Sequence, residues 1–135
     1  MNLDLAPLAN AISRLEEGLN TYARDPTQTL IRDGVIQRFE FTYEISHKML
    51  KRYLRTSSPT PTQYDDMPFQ DLIRSANEQG LLLGDWSHWK TFRDMRARTS
   101  HTYDEKIALD VVAGIPAFLE EARTLYERIS QRLAQ

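Results

Sequence analysis

Apolar residues recur at steps of three and four along almost the whole chain. Leu5, Leu8, Ile12, Leu15 and Leu19 form the first such series and predict an amphipathic helix from about Leu3 to Tyr22. Asp25-Pro26 ends it, because a proline pushes the preceding residue out of the helical region. Ile31, Val35, Phe39, Tyr43, Leu50 and Leu54 carry the same period over about Thr27 to Arg55, the longest uninterrupted element, with Glu44 and Lys48 spaced for an i,i+4 pair. The stretch SSPTPTQYDDMP, Ser57 to Pro68, holds three prolines and reads as a loop between helices, not as a domain boundary.

A third helix is predicted over about Phe69 to Gln79, ending near Gly80. Gly84-Asp85 then supplies a turn and an N-cap for a fourth, about Trp86 to Thr99. The last helix spans about Tyr103 to Leu133, interrupted at Gly114-Ile115-Pro116, where the proline lacks a backbone donor and should kink it. Strand alternation hardly competes, and no repeat is visible. The predicted fold class is therefore all-α: an up-and-down bundle of about five helices, one domain over residues 1–135.

A chain of 135 residues builds one core and leaves apolar surface that a second copy would usefully cover. With 17 basic and 19 acidic side chains the net charge is -2, so no global field draws nucleic acid and any RNA contact must come from a local basic cluster. The absence of cysteine excludes a disulfide framework and a thiolate zinc site, and suits a reducing interior. The start MNLDLAPLANAISRLEEG carries acids and lacks the basic, continuously apolar pattern of a signal peptide, and no run of about 18 apolar residues occurs anywhere. A soluble, cytoplasmic protein without membrane contact is expected.

Chemistry concentrates in Arg96-Ala97-Arg98-Thr99-Ser100-His101-Thr102-Tyr103. On one continuous helix Arg96 and His101 would sit about 140° apart around the axis and face different ways. Thr102-Tyr103-Asp104-Glu105 has the capping-box pattern, so a new helix is predicted to begin at Thr102, and the bend before it brings both side chains toward one pocket. A helix N-terminus with free backbone donors, next to Arg96 and Arg98, suits a phosphate anion. With RNA bound, His101 can act as general base on a 2′-hydroxyl or as general acid on the leaving oxygen, and Arg96 can hold the phosphoryl oxygens. Thr99 and Ser100 support the site. One histidine in the motif falls short of an acid and a base, and a two-fold dimer would supply both.

Arg-x4-His alone is a weak signal. Two segments read together are more specific: Ile31-Arg32-Asp33-Gly34-Val35-Ile36-Gln37-Arg38-Phe39-Glu40-Phe41-Thr42-Tyr43-Glu44, and Asp94-Met95-Arg96 through Ser100-His101-Thr102-Tyr103-Asp104-Glu105. Together they resemble the signature of the HEPN family, in the branch labelled nucleotidyltransferase substrate-binding proteins, and the resemblance covers about Leu3 to Leu133. It implies a dimerising helical bundle that acts as a metal-independent endoribonuclease toxin on RNA, with tRNA a candidate substrate. A minimal nucleotidyltransferase of the MNT type would be its antitoxin. The family's Arg-x4-His-x-Tyr motif falls on Arg96 and His101, implied catalytic, and on Tyr103, implied to be adenylylated by a partner that uses Mg-ATP. No cofactor or metal is implied on this chain itself. AMP on Tyr103 would put a bulky anion beside His101. Two positions depart from the pattern: Ala97, where a polar residue is usual, and His47, where tryptophan is common. Ala97 favours the alternative, a non-catalytic substrate-binding or scaffold subunit of a two-component nucleotidyltransferase. A third reading is a dimeric interaction module.

The remaining candidates read more plainly. His47 and His88 lie on different predicted helices, without zinc-site spacing, and His88 between Trp86 and Trp89 suits a packing or partner surface. Phe39, Phe41, Tyr43 and Tyr53 could stack bases, but their helical spacing fits core and dimer packing better. Glu40 and Glu44 could pair as acids, although Lys48 makes a solvated ladder more economical. Arg32 and Arg38 are candidates for extending a basic groove toward RNA or for meeting an acidic partner. No Walker motif or nucleotidyltransferase signature is present, so nucleotidyl transfer must come from another chain.

Overall fold

The computed structural model describes residues 3 to 135; Met1 and Asn2, part of the segment read above for a leader, lie outside the described residues. Five helices follow one another: α1 (Ala6–Arg24), α2 (Thr29–Ser57), α3 (Phe69–Glu78), α4 (Trp86–Arg98) and α5 (Glu105–Leu133), with no strand among the described residues. The all-α bundle expected from the periodicity is what the chain forms, with element ends displaced by no more than three residues. The proline-rich loop is less idle than its composition suggested. It holds a short 3-10 turn, Pro61–Tyr64, whose Tyr64 ring is buried and whose hydroxyl meets Ser75 Oγ at 3.2 Å.

Local chemistry explains most boundaries. Gly80 takes φ +72°, a left-handed conformation that costs glycine little and lets the chain leave α3. Asp85 caps α4: its carboxylate accepts the Ser87 N–H at 3.0 Å, and His88 Nδ1 lies 3.1 Å from the same oxygen. His88 is thus a capping residue on an exposed helix start. The expected break at Gly114-Ile115-Pro116 does not occur, and α5 runs unbroken through Pro116. Gly114 serves packing instead, since a Cβ there would lie 2.7 Å from Met95 Sδ; its absence lets α4 and α5 approach closely.

The core is aromatic at its centre. Phe118 stands edge-on to Phe39 (ring centroids 5.1 Å), Phe92 (5.3 Å) and Trp89 (6.2 Å), joining α2, α4 and α5. Phe39, Tyr43 and Tyr53 are buried, so these three aromatic residues of α2 pack inward as their spacing implied, while Phe41 is only half-buried and lies outside the core. Each fully buried ring of this kind contributes about 1.5–3 kcal/mol relative to exposure. No described helix is long and apolar enough to cross a membrane.

Candidate functional site

The segment from Arg96 to Glu105 joins α4 to α5, and α2 holds it at both ends. At the first end Arg96 Nε and Nη2 donate to one oxygen of Glu44, Nε at 3.2 Å, while Nη1 lies 3.8 Å from Glu40 Oε2. The Glu44 hydrogen bond is the main cause raising the Arg96 pKa further above its ordinary value, so the guanidinium is a permanent cation. At the other end Arg32 Nη1 donates to Glu105 Oε1 at 2.7 Å. Arg32 is only 5% exposed, and that hydrogen bond outweighs burial in raising its pKa. It therefore does not extend a basic groove, as expected from sequence, because it is buried and neutralised where it anchors the start of α5.

Between the anchors, residues Thr99–His101 form one 3-10 turn. Thr102 donates its hydroxyl to the Thr99 carbonyl at 3.1 Å and closes that turn, so it does not cap α5. Asp104 is the cap, accepting the N–H groups of Lys106 (3.0 Å) and Ile107 (3.2 Å). The predicted capping box from Thr102 to Glu105 is therefore absent, since Glu105 is drawn to Arg32. The predicted phosphate site on free helix donors is likewise filled by the chain's own Asp104 carboxylate.

His101 and Tyr103 emerge on the outside of this turn. His101 is exposed, Tyr103 is 88% exposed, and their rings meet edge-on with centroids 6.2 Å apart. Arg98 pairs with Asp110 at 3.2 Å yet keeps about two fifths of its side chain in solvent. Ser100 is exposed. Thr99 points the other way: it is buried, its hydroxyl donates to the Arg96 carbonyl at 2.7 Å and accepts from Arg96 Nη1 at 3.1 Å. Thr99 thus supports Arg96 and is not itself placed to touch RNA. Arg38 lies apart, between α1 and α2, donating to the Arg14 carbonyl at 2.7 Å and to Glu17 at 3.0 Å. Of the residues expected at the site, Ser100, His101 and Tyr103 are therefore exposed, Arg96 and Arg98 are half-buried in ion pairs, and only His101 and Tyr103 are seen in contact with each other.

Glu44 was read from sequence as the first member of a solvated ladder with Lys48, and its true partner was missed. A signal was present, because Glu40 and Glu44 sit in one of the two segments that carry the family resemblance and Arg96 sits in the other. His47 rests edge-on against Phe69 with centroids 4.7 Å apart, and burial, aided by Lys51, lowers its pKa. Among the described residues no group of histidines and carboxylates is arranged to hold a metal ion.

Comparison with known proteins agrees with this architecture. The chain matches the family model described as nucleotidyltransferase substrate binding protein like over residues 3–131. A Haemophilus influenzae protein named probable ribonuclease HepT is 46% identical over 99 residues, covering 73% of this chain and 67% of that protein. The solved structure of HI0074 from Haemophilus influenzae, which reveals the fold of a substrate binding domain of a nucleotidyltransferase, superposes with a TM-score of 0.88 at 37% identity, covering 94% of this chain and 99% of that one. The match over nearly the full length, with the same helical fold, shows that this chain belongs to the nucleotidyltransferase substrate binding protein like family.

Proposed function

We propose that the protein is a metal-independent endoribonuclease toxin, with Arg96 and His101 in its active site and Tyr103 as the point of control. The observation that carries the reading is the exposed His101 on a turn whose first residue, Thr99, accepts from the Arg96 cation, in a chain 46% identical over 99 residues to a protein named probable ribonuclease HepT. The chemistry suits these groups. Neutral His101 accepts the proton of a ribose 2′-hydroxyl, and the oxygen attacks the adjacent phosphorus. The P–O5′ bond breaks, leaving a 2′,3′-cyclic phosphate, and a protonated histidine returns a proton to the 5′-oxygen. Arg96 stabilises charge on the non-bridging oxygens. The acid and the base come from the His101 of two copies in a dimer.

Tyr103, open to solvent and beside His101, is reachable by the active site of another protein. A cognate MNT-type nucleotidyltransferase, with Mg-ATP, would adenylylate it and neutralise the toxin. Two measurements test the proposal. Expression of the chain alone should arrest growth, and the purified protein should cleave RNA in excess EDTA to cyclic-phosphate ends; arrest and cleavage that persist undiminished in His101→Ala would refute the assignment. Incubation with the partner and Mg-ATP should add one or more AMP increments to Tyr103 in intact-mass and peptide spectra.

A second reading has its own support. The family description and the HI0074 structure both speak of substrate binding for a nucleotidyltransferase, and Ala97 removes a polar side chain beside Arg96. A non-catalytic subunit of a two-component nucleotidyltransferase would form a stable complex with the partner, raise its transferase activity, and leave RNA intact.

A further inference from the structure

We infer that Glu44 and Thr99 are positioning residues for Arg96: together they fix the guanidinium and leave two of its N–H donors for the substrate phosphate. The inference rests on the ribonuclease reading. A guanidinium carries five N–H donors in one plane. Nε and Nη2 both donate to Glu44 Oε1, and Nη1 donates to Thr99 Oγ1 at 3.1 Å. Three donors are thereby committed, and the two that remain are one each on Nη1 and Nη2.

The Thr99 contact is directional. Its hydroxyl proton is engaged by the Arg96 carbonyl at 2.7 Å, which turns an oxygen lone pair toward Nη1. Thr99 is buried and cannot readily swing away. Glu40, one helical turn before Glu44, adds a second carboxylate 3.8 Å from Nη1, and so reinforces the attraction toward α2. The Arg96 side chain still keeps 31% of its surface in solvent, so it is not sealed from an external phosphate while these contacts stay in place.

A carboxylate beside a phosphate-binding arginine can act in two opposed ways. As a stand-in for the phosphate it would inhibit, and its removal would speed cleavage. As an orienting group it spends binding freedom in advance, and its removal would slow the chemical step. The bonding pattern favours orientation, because one Glu44 oxygen takes the side edge and leaves a donor on each terminal nitrogen.

The test is RNA cleavage by the full-length protein, with kcat and KM measured separately on an RNA oligonucleotide. Glu44→Ala should lower kcat about 10- to 100-fold with little change in KM, as expected when geometry and not ground-state affinity is lost. Glu44→Gln, which keeps a neutral acceptor, should recover part of that loss, and Thr99→Ser should recover most of what Thr99→Ala loses. Unfolding midpoints measured on the same samples separate these effects from misfolding. An unchanged or faster kcat in Glu44→Ala, or a rise in KM alone, would overturn the inference. The Arg96 Nε–H resonance gives an independent readout. It should be slowly exchanging in the parent protein and lose that protection in Glu44→Ala; protection that persists overturns the clamp. If the parent protein and His101→Ala cleave RNA equally, the ribonuclease reading fails, and the resonance still decides whether Glu44 orients Arg96.

Discussion

Two connections flank α4, and they spend their polar groups in opposite ways. Before α4, the chain from Gln79 to Asp85 is held down by α5. Buried Glu121 accepts the N–H groups of Leu83 and Gly84, both at 2.7 Å, while Arg128 donates to the carbonyls of Gly80 (3.2 Å) and Leu82 (2.8 Å) and Arg132 donates to that of Gln79. After α4, the chain from Thr99 to Asp104 closes its turn with its own threonines and leaves His101 and Tyr103 in solvent. The first connection commits charged side chains to the backbone groups of the loop, which tethers it to α5 and stabilises the fold. The second is held at its two ends by α2, through Glu44 and Arg32, and its middle is left free for chemistry. A charged residue near a turn is thus informative only once its partner is known.

The sharpest way to test this contrast is His101→Ala. RNA cleavage should fall about a thousandfold, within the range for loss of a general acid or base, while the unfolding midpoint stays put because the ring is exposed. A large drop in the midpoint would mean that the second connection is also structural.

Glu121→Ala should do the reverse, costing about 3 kcal/mol by leaving the Leu83 and Gly84 N–H groups without their acceptor, as read by chemical denaturation. Cleavage by the protein that remains folded should be close to normal. Gly84→Ala strikes the same contact sterically, since its Cβ would lie 2.8 Å from His88 Cβ and 2.9 Å from Glu121 Oε1. It should cost about 1–3 kcal/mol, the range for forcing bulk into a packed site.

A smaller effect separates the connections by pH. Burial raises the Glu121 pKa above its ordinary value, against the opposing pull of the two N–H bonds. The folded protein therefore binds a proton more tightly at this site than the unfolded chain. Its contribution is complete below the ordinary carboxylate pKa and is lost as pH rises through the raised one. Stability measured across that interval should decline with pH in the parent protein relative to Glu121→Gln, and parallel profiles would contradict the shift. Least of all, Tyr103→Phe should move stability by no more than about 0.5 kcal/mol, as for other exposed positions. Its distinguishing readout is loss of the AMP increment on incubation with the partner and Mg-ATP.

Much of the fold was legible because helix signals are local. The three-and-four spacing of Leu8, Ile12 and Leu15, the stop at Pro26, and the Gly80 and Gly84-Asp85 punctuation each act over a few residues, and each marks a boundary the structure contains. Errors arose where two local signals competed. Thr102 and Asp104 both offered a cap to α5, and Asp104 took it once Arg32 drew Glu105 away. Pro116 suggested a break, yet α5 is buried along one face on both sides of it, at Val111, Val112 and Ile115 and again at Phe118, Leu119 and Ala122, and runs on.

The candidate site divides along the same line. Sequence alone determined the five-helix class, the position of the Arg96 to Tyr103 motif at a helix junction, and the residue types available for acid, base and phosphate contact, because all of these follow from spacing along a short stretch of chain. Tertiary structure alone decided that Arg32 is buried and neutralised, that Thr99 faces inward, and that Glu44 reaches across 52 positions to hold Arg96. Those outcomes depend on which helix lies against which, and side chains so far apart in the chain reveal their pairing only when packing brings α2 and α4 together.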